Sequence, residues 1–334
     1  MPRASIILPA YNAAATIERA ILSCLDQTEQ DFELILIDDG STDGTGAIMS
    51  RALYDERVTL LQHSQNLGVV RALQTGVADL RSDVIVRADA DDWSTPDRLE
   101  KQLTALERNL DWDGVSSLVK LEQPLGDGMQ RYVDWVNSLN SPDAVASGRF
   151  IESPLIQPSM AVRRAAFEAA GGYRAPGWGE DYDLWLRMLE RGCRFGKVPE
   201  VLVHWLDRPD CLTRSHQDYS PASFLRAKAH YLARLARETG VSCLIGGAGP
   251  RGKSLINHLQ VEGVGVAALF DVHPRRMGET IAGLEVLPPD ELSAFSPDSH
   301  FLLGTAGTPG AREALRAWFT RHDFIEGSTA FLLC

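Results

Sequence analysis

The sequence predicts an α/β protein with a mostly parallel mixed sheet flanked by helices, followed by a small α/β domain of the dinucleotide-binding type. Three observations lead there. Apolar runs of strand length alternate with segments of helical periodicity through the first part of the chain, the signature of a parallel sheet with covering helices. Polar, turn-forming residues gather after each of these runs. From Val241 the pattern starts afresh with a strand-like run leading into a glycine-rich loop. The domain boundaries expected are 1–220 for the first domain, 221–240 for a linking helix and 241–334 for the second domain.

Taken in order, Ala4 to Leu8 is the first strand. Ile17, Ala20, Ile21, Cys24 and Leu25 then recur at helical spacing and give one apolar stripe. Further strands are expected at Glu33 to Ile37, Val58 to Gln62 and Val84 to Arg87, with helices over 44–53, 69–80 and 96–109. In the last of these Leu99, Leu103 and Leu106 face inward. Between Trp112 and Leu202 the regularity weakens. Short strands at Val115 to Val119 and Met160 to Arg163 and a helix over 181–191 stand out, and this is where substrate-specific parts belong. An Ala-, Leu- and Arg-rich stretch over 224–238 reads as the linking helix. The second domain opens with strand Val241 to Ile245, a helix, and strand Val264 to Phe270.

Composition narrows the function. With 45 acidic against 33 basic residues the formal charge is -12, which argues against a nucleic-acid partner, since phosphate contacts need a basic face. The five cysteines are odd in number, scattered, and lack a C-x-x-C spacing, so they read as reduced thiols of a cytoplasmic protein. No uninterrupted apolar stretch approaches the roughly 18 to 20 residues of a membrane span. Attachment at the inner face of a membrane is left open.

In open parallel sheets, ligands bind beyond the carboxyl ends of the strands. Those ends read Pro9-Ala10-Tyr11-Asn12, Asp38-Asp39-Gly40-Ser41-Thr42-Asp43, Asn66-Leu67-Gly68 and Asp89-Ala90-Asp91-Asp92. Carboxylates packed as closely as the last group repel one another, and a divalent cation would neutralise them. Oxygen ligands at a strand end suit Mg²⁺ or Mn²⁺, which complete their shells with water and phosphate. The alternative is an acidic turn in which Asp92 or Ser94 caps the helix that starts near Pro96; both can hold at once.

These motifs, with Arg71 after N-L-G and the later Gly179-Glu180-Asp181-Tyr182-Asp183-Leu184-Trp185, resemble the inverting glycosyltransferases of family 2, which have the GT-A nucleotide-sugar-binding fold. The resemblance covers residues 4 to about 205. It implies a nucleotide-diphosphate sugar as donor and a glycan or glycolipid as acceptor, in bacterial surface polysaccharide synthesis. It places Pro9, Tyr11, Asn12, Asp38 and Asp39 around the nucleoside, with Asn66, Gly68 and Arg71 on the same cleft. Asp89 and Asp91 form the D-x-D pair, Asp91 the direct metal ligand and Asp89 nearer the ribose and diphosphate. Asp181 is the expected general base, with Glu180 competing for the role; capping of their helix is the alternative. Trp185 is read as packing and Arg187 as surface; Arg87 is read as a phosphate contact or an ion-pair residue. The histidine-proline pair of many relatives is replaced by Arg208-Pro209, so the third protein ligand is open between His204, His216 and none.

In the second domain Gly247, Gly249 and Gly252 form a G-x-G-x-x-G loop between a strand and a helix, and Asp271 ends the next strand. That is the context of a dinucleotide site, the glycines admitting phosphate and Asp271 holding a ribose. A docking or dimerising module that kept the tight turn for packing accounts for the pattern equally well. An NAD(P)-dependent oxidoreductase and a non-enzymatic nucleotide-sugar sensor, each using this domain, are the competing functions.

Overall fold

A computed structural model describes residues 1–307 and 309–334. Two compact units divide the chain: residues 1–145, 155–176 and 180–215 form one, and 146–154, 177–179 and 216–334 the other. The expected boundary at residue 220 therefore shifts. The helix taken as a linker belongs to the second unit, and so do two short segments from the middle of the chain. Aromatic packing explains one of them, because Phe150 meets Phe331 edge-on at 5.3 Å between ring centroids.

The first unit contains strands β1 (Ala4–Ala10), β2 (Phe32–Asp38), β3 (Val58–Gln62), β4 (Val84–Arg87), β5 (Trp93–Ser94), β6 (Gly114–Glu122), β7 (Ala161–Arg163) and β8 (Phe195–Leu206). Its helices are α1 (Ile17–Leu25), α2 (Thr45–Arg51), α3 (Val69–Ala78), α4 (Arg98–Arg108), α5 (Asp127–Ser138), α6 (Pro142–Gly148), which runs on into the second unit, α7 (Arg164–Ala169), α8 (Glu180–Glu190) and α9 (Leu212–Ser215). The strands form one sheet in the order β3-β2-β1-β4-β7-β6-β8-β5. β1 to β4 run parallel, while β7 opposes both β4 and β6, and β5 opposes β8.

Strand pleat explains the two core layers. Successive side chains point to opposite faces, so Ile6, Leu8, Leu34 and Leu36 pack with Ile17 and Ile21 of α1 and Leu99 and Leu103 of α4. Ile7, Ile35 and Ile37 pack on the other face with Leu73 of α3 and Leu184, Trp185 and Met188 of α8. Each such side chain contributes on the order of 1.5–3 kcal/mol by leaving water. Helices on both faces are why β1 and β2 read as continuous apolar runs rather than alternating ones.

The second unit carries α10 (Pro221–Thr239), β9 (Ser242–Gly246), α11 (Pro250–Val261), β10 (Val266–Phe270), β11 (Thr280–Ile281), β12 (Leu284–Leu287), β13 (His300–Gly304), α12 (Pro309–Arg321) and β14 (Ala330–Leu332). Its sheet order is β11-β12-β10-β9-β13-β14, parallel except for the β11–β12 edge pair. Among the described residues no helix is long and apolar enough to cross a membrane.

Candidate active site

Four loops follow the carboxyl ends of β1 to β4, and the structure shows what shapes them. The β1 and β2 loops are laced together: the Asn12 amide donates to Ser41 Oγ at 3.0 Å, and Asn12 Oδ1 accepts from the Thr42 amide at 2.9 Å. Asn12 has φ +48°, a left-handed backbone that asparagine tolerates. Pro9 is buried within β1, opposite Ile37, whereas Tyr11 is half exposed beyond its end. Gly40 is required where the chains meet, since a Cβ there would lie 2.3 Å from the Gln65 carbonyl carbon.

Asp38 and Asp39 are both buried and serve the loops around them. Asp38 Oδ1 accepts from the Ser41 amide at 3.0 Å. Asp39 accepts from the amides of Leu67 and Gly68 at 2.9 and 2.8 Å, and His63 Nδ1 lies 2.7 Å from its Oδ1. Three of about four lone-pair sites on Asp39 are thus in use, so it holds the Asn66-Leu67-Gly68 loop in place. Asn66 Oδ1 also accepts from the Gly68 amide, and Gly68 needs its φ of +88°. Arg71 is exposed and donates to Gln74.

The acidic turn after β4 is fastened at both ends. Arg87 Nη2 lies 2.6 Å from Asp89 Oδ1. Asp92 Oδ1 accepts from the Leu206 amide at 3.0 Å, and Trp93 pairs with His204 in the β5–β8 ladder. Arg19 donates to the Asp91 carbonyl at 3.0 Å and stacks 3.7 Å above the Trp93 ring, whose other neighbour is the His204 imidazole, stacked at 5.0 Å. The capping expectation is corrected. α4 begins at Arg98, behind Asp97 in the cap position, and neither Asp92 nor Ser94 caps it; Asp92 is instead bonded to β8 and Ser94 Oγ accepts from Arg98.

Electrostatics joins this turn to the amino end of α8. Burial, then repulsion from Asp89, pushes the Asp91 carboxyl up to about 6. Burial, then Glu180 and then Asp89, pushes Asp181 up to about 8. Asp92 is raised well above the carboxylate range by burial and by both aspartates before it, and its Oδ2 is buried without a hydrogen-bond partner. Asp89 therefore acts on residues of two motifs some ninety positions apart. Asp181 sits in the first turn of α8, where its Oδ1 accepts from the Tyr182 amide at 2.7 Å, and Glu180 is buried beside it. Asp183 and Arg187 belong elsewhere: they form a buried ion pair at 2.8 Å. Arg187, expected at the surface, is a core residue that also donates to the Gly172 carbonyl at 2.6 Å.

Asp89 and Asp91 offer two hard oxygen donors of the kind a Mg²⁺ or Mn²⁺ ion takes while keeping water and phosphate ligands. Among the described residues no group of three His, Cys, Asp or Glu is placed to hold a metal. His204 Nδ1 is engaged by Glu122 at 2.9 Å. Arg208 pairs with Asp210, and its positive charge bears on Asp91. His216 accepts from the Asp218 amide and lies in the second unit. A cavity of about 610 Å³, lined among others by Phe32, Glu33, Arg57 and Arg81, opens at the amino ends of β2 and β3 and is remote from this chemistry.

The profile of glycosyl transferase family 2 matches residues 5–171. The chain belongs to this family. It is 33% identical over 224 residues to the protein of Bacillus subtilis (strain 168) named as the glycosyltransferase EpsE, covering 66% of this chain and 78% of that one. Other bacterial relatives, 25 to 32% identical, are named for succinoglycan, teichuronic acid and amylovoran biosynthesis. The fold is similar to that of S. aureus TarS residues 1–349 in complex with UDP-GlcNAc, with a TM-score of 0.59 at 15% identity over 77% of this chain and 71% of that one. It also resembles the mannosyltransferase PcManGT of Pyrobaculum calidifontis in complex with GDP-Man and Mn²⁺, at TM-score 0.52 and 18% identity over 98% and 86% of the two chains. This family 2 member is thus a transferase with a GT-A-type fold, which sets aside the oxidoreductase and sensor readings of the chain as a whole.

The glycine loop of the second unit is internally satisfied. Asp271 Oδ2 accepts from the Ala248 amide and Oδ1 from the His273 amide, both at 2.8 Å, and Arg276 lies 3.5 Å from Oδ2. Gly247 has φ +115°, and a Cβ on Gly252 would lie 2.0 Å from the Gly247 carbonyl oxygen. These two glycines are required by packing alone; Gly249 has space around it.

Sequence reasoning missed Arg98, His63 and the Arg19–Trp93–His204 stack. Arg87 carried a signal: a charged residue closing an otherwise apolar strand must have a partner. The stack carried none, because it depends on β8 being paired with β5.

Proposed function

We propose that the protein is a metal-dependent inverting glycosyltransferase that moves a sugar from a nucleotide-diphosphate donor to a hydroxyl of a glycan or glycolipid acceptor in bacterial polysaccharide synthesis. The observation that carries the reading is the acidic turn Asp89 to Asp92 at the carboxyl end of β4 in a family 2 chain, held by the Arg87–Asp89 pair, with Asp181 at the start of α8 raised by burial, by Glu180 and then by Asp89. In one displacement the acceptor oxygen attacks the anomeric carbon, the bond to the donor phosphate breaks, and the hydroxyl proton passes to Asp181. The sugar is inverted and the nucleoside diphosphate leaves. A base is most effective when its pKa lies near the working pH, and Asp181 at about 8 meets that condition. Asp91 and Asp89 would hold Mg²⁺ or Mn²⁺, which supplies positive charge for the departing diphosphate. Pro9, Tyr11, Asn12, Asp38, Asn66 and Gly68 shape the nucleoside side of the cleft, and Asp39 acts through the loop it anchors.

Relatives and neighbours fit this assignment. One relative, from Escherichia coli, is named as a galactosyltransferase using UDP-Gal and a diphosphoundecaprenol-linked acceptor, which supports a lipid-linked glycan acceptor. The test is a panel of nucleotide sugars with Mn²⁺, Mg²⁺ or chelator, read as nucleoside diphosphate release. Release that depends on one donor and on the cation is expected; full turnover in chelator overturns the metal assignment.

A further inference from the structure

Arg87 closes β4, directly before the acidic turn, and is 4% exposed. Burying a guanidinium is costly unless its charge is paired and hydrogen-bonded. Here the pairing is with Asp89 at 2.6 Å, and the same side chain donates to the carbonyls of Ala88 and Ile7, the latter at 3.4 Å in the neighbouring strand β1. A second buried arginine holds the backbone. Arg98 donates to the Arg87 carbonyl at 3.0 Å and to Ser94 Oγ at 2.9 Å, which are the two ends of the acidic turn. Gln102 fixes Arg98 in turn at 3.0 Å.

We infer that Arg87 is a positioning residue for the donor site: it locks the Asp89 carboxylate in one orientation and supplies the fixed positive charge that lets an anionic nucleoside diphosphate approach a turn carrying Asp89, Asp91 and Asp92. The inference rests on the reading of Asp89 and Asp91 as the cation and diphosphate site. The geometry separates this role from direct phosphate contact, because the guanidinium is buried between strand carbonyls and a carboxylate. Substitution separates it from a purely structural role. Removing the cation leaves Asp89 more negative toward a metal and the whole turn more repulsive toward a diphosphate, so the two affinities move in opposite directions.

The test uses full-length wild-type protein and the variants Arg87→Met and Arg87→Lys, with circular dichroism to establish that each is folded. Mn²⁺ alone is titrated by electron paramagnetic resonance. Uridine or guanosine diphosphate, whichever the wild type binds, is then titrated at saturating Mn²⁺. For Arg87→Met, Mn²⁺ binding is expected to hold or tighten while diphosphate binding weakens at least about tenfold, with Arg87→Lys restoring most of the loss. Both affinities falling together, or neither changing, in folded protein overturns the role of Arg87. If the wild type itself takes up no Mn²⁺, the failure lies instead with the cation site on which the inference rests.

Discussion

The two sheets of this protein place an acidic residue beside a tight loop at a strand end, and they do so with opposite electrostatics. In the second unit Asp271 is satisfied from within, by two loop amides and Arg276. In the first unit Asp91, Asp92 and Asp181 are raised by burial and by neighbouring acids, Asp89 acting on all three, and Asp92 keeps a buried oxygen without a partner. A carboxylate that already has its donors is there to hold a loop. Carboxylates crowded together beyond what their surroundings satisfy are poised for a cation or a proton. Similar motifs in sequence thus separate by how well each acid is matched to its donors.

The largest expected effect breaks the first half of the comparison. Asp181→Asn keeps the shape of the side chain and removes its basicity, so turnover should fall by about 10²–10⁴-fold with donor binding little changed. Steady-state kinetics beside nucleotide binding measures both; near-normal turnover would move the base to Glu180. Asp91→Asn should leave the fold intact and remove cation dependence, seen as loss of Mn²⁺-stimulated release of nucleoside diphosphate.

A smaller effect sharpens the second half. Asp271→Ala leaves the buried Ala248 amide without its acceptor and should destabilise the second unit by about 1–3 kcal/mol, read by denaturant unfolding. Gly252→Ala should do likewise through its clash with the Gly247 carbonyl. Transfer activity measured well below the unfolding transition should survive both, because the chemistry is assigned to the first unit.

A further effect concerns pH. The unfolded Asp181 titrates near 3.9, whereas burial and Glu180 raise it to about 8 in the folded protein. The folded state therefore binds more protons between these values. The resulting stability is complete below the unfolded pKa and is lost as pH rises through about 8. Asp91, raised to about 6, acts with the same sign. Melting temperature should decline from pH 5 to 9, and less steeply in Asp181→Asn.

Much of this was legible in the sequence. Continuous apolar runs marked β1, β2 and β4 because both faces of the central sheet are covered, and the stripe through Ile17, Ile21 and Leu25 marked α1. β8 was missed. Its twelve residues include Lys197, Pro199, Glu200 and His204, which break any simple pattern, and it is held by long-range pairing with β6 instead. α5 was missed as well, since only Val133 and Val136 are buried along it. In the site, the acidic turn and the α8 carboxylates stood out as motifs, but Asp39 as a loop anchor and Arg187 as a core residue depend on partners distant in sequence or on burial that no motif records.

The most direct measurement is Mn²⁺ affinity with and without nucleoside diphosphate, in the wild type and in Asp91→Asn. Binding of metal and nucleotide that strengthen each other in the wild type, and lose that coupling in Asp91→Asn, is the predicted result. Nucleotide binding indifferent both to Mn²⁺ and to the substitution would contradict a cation site on the acidic turn.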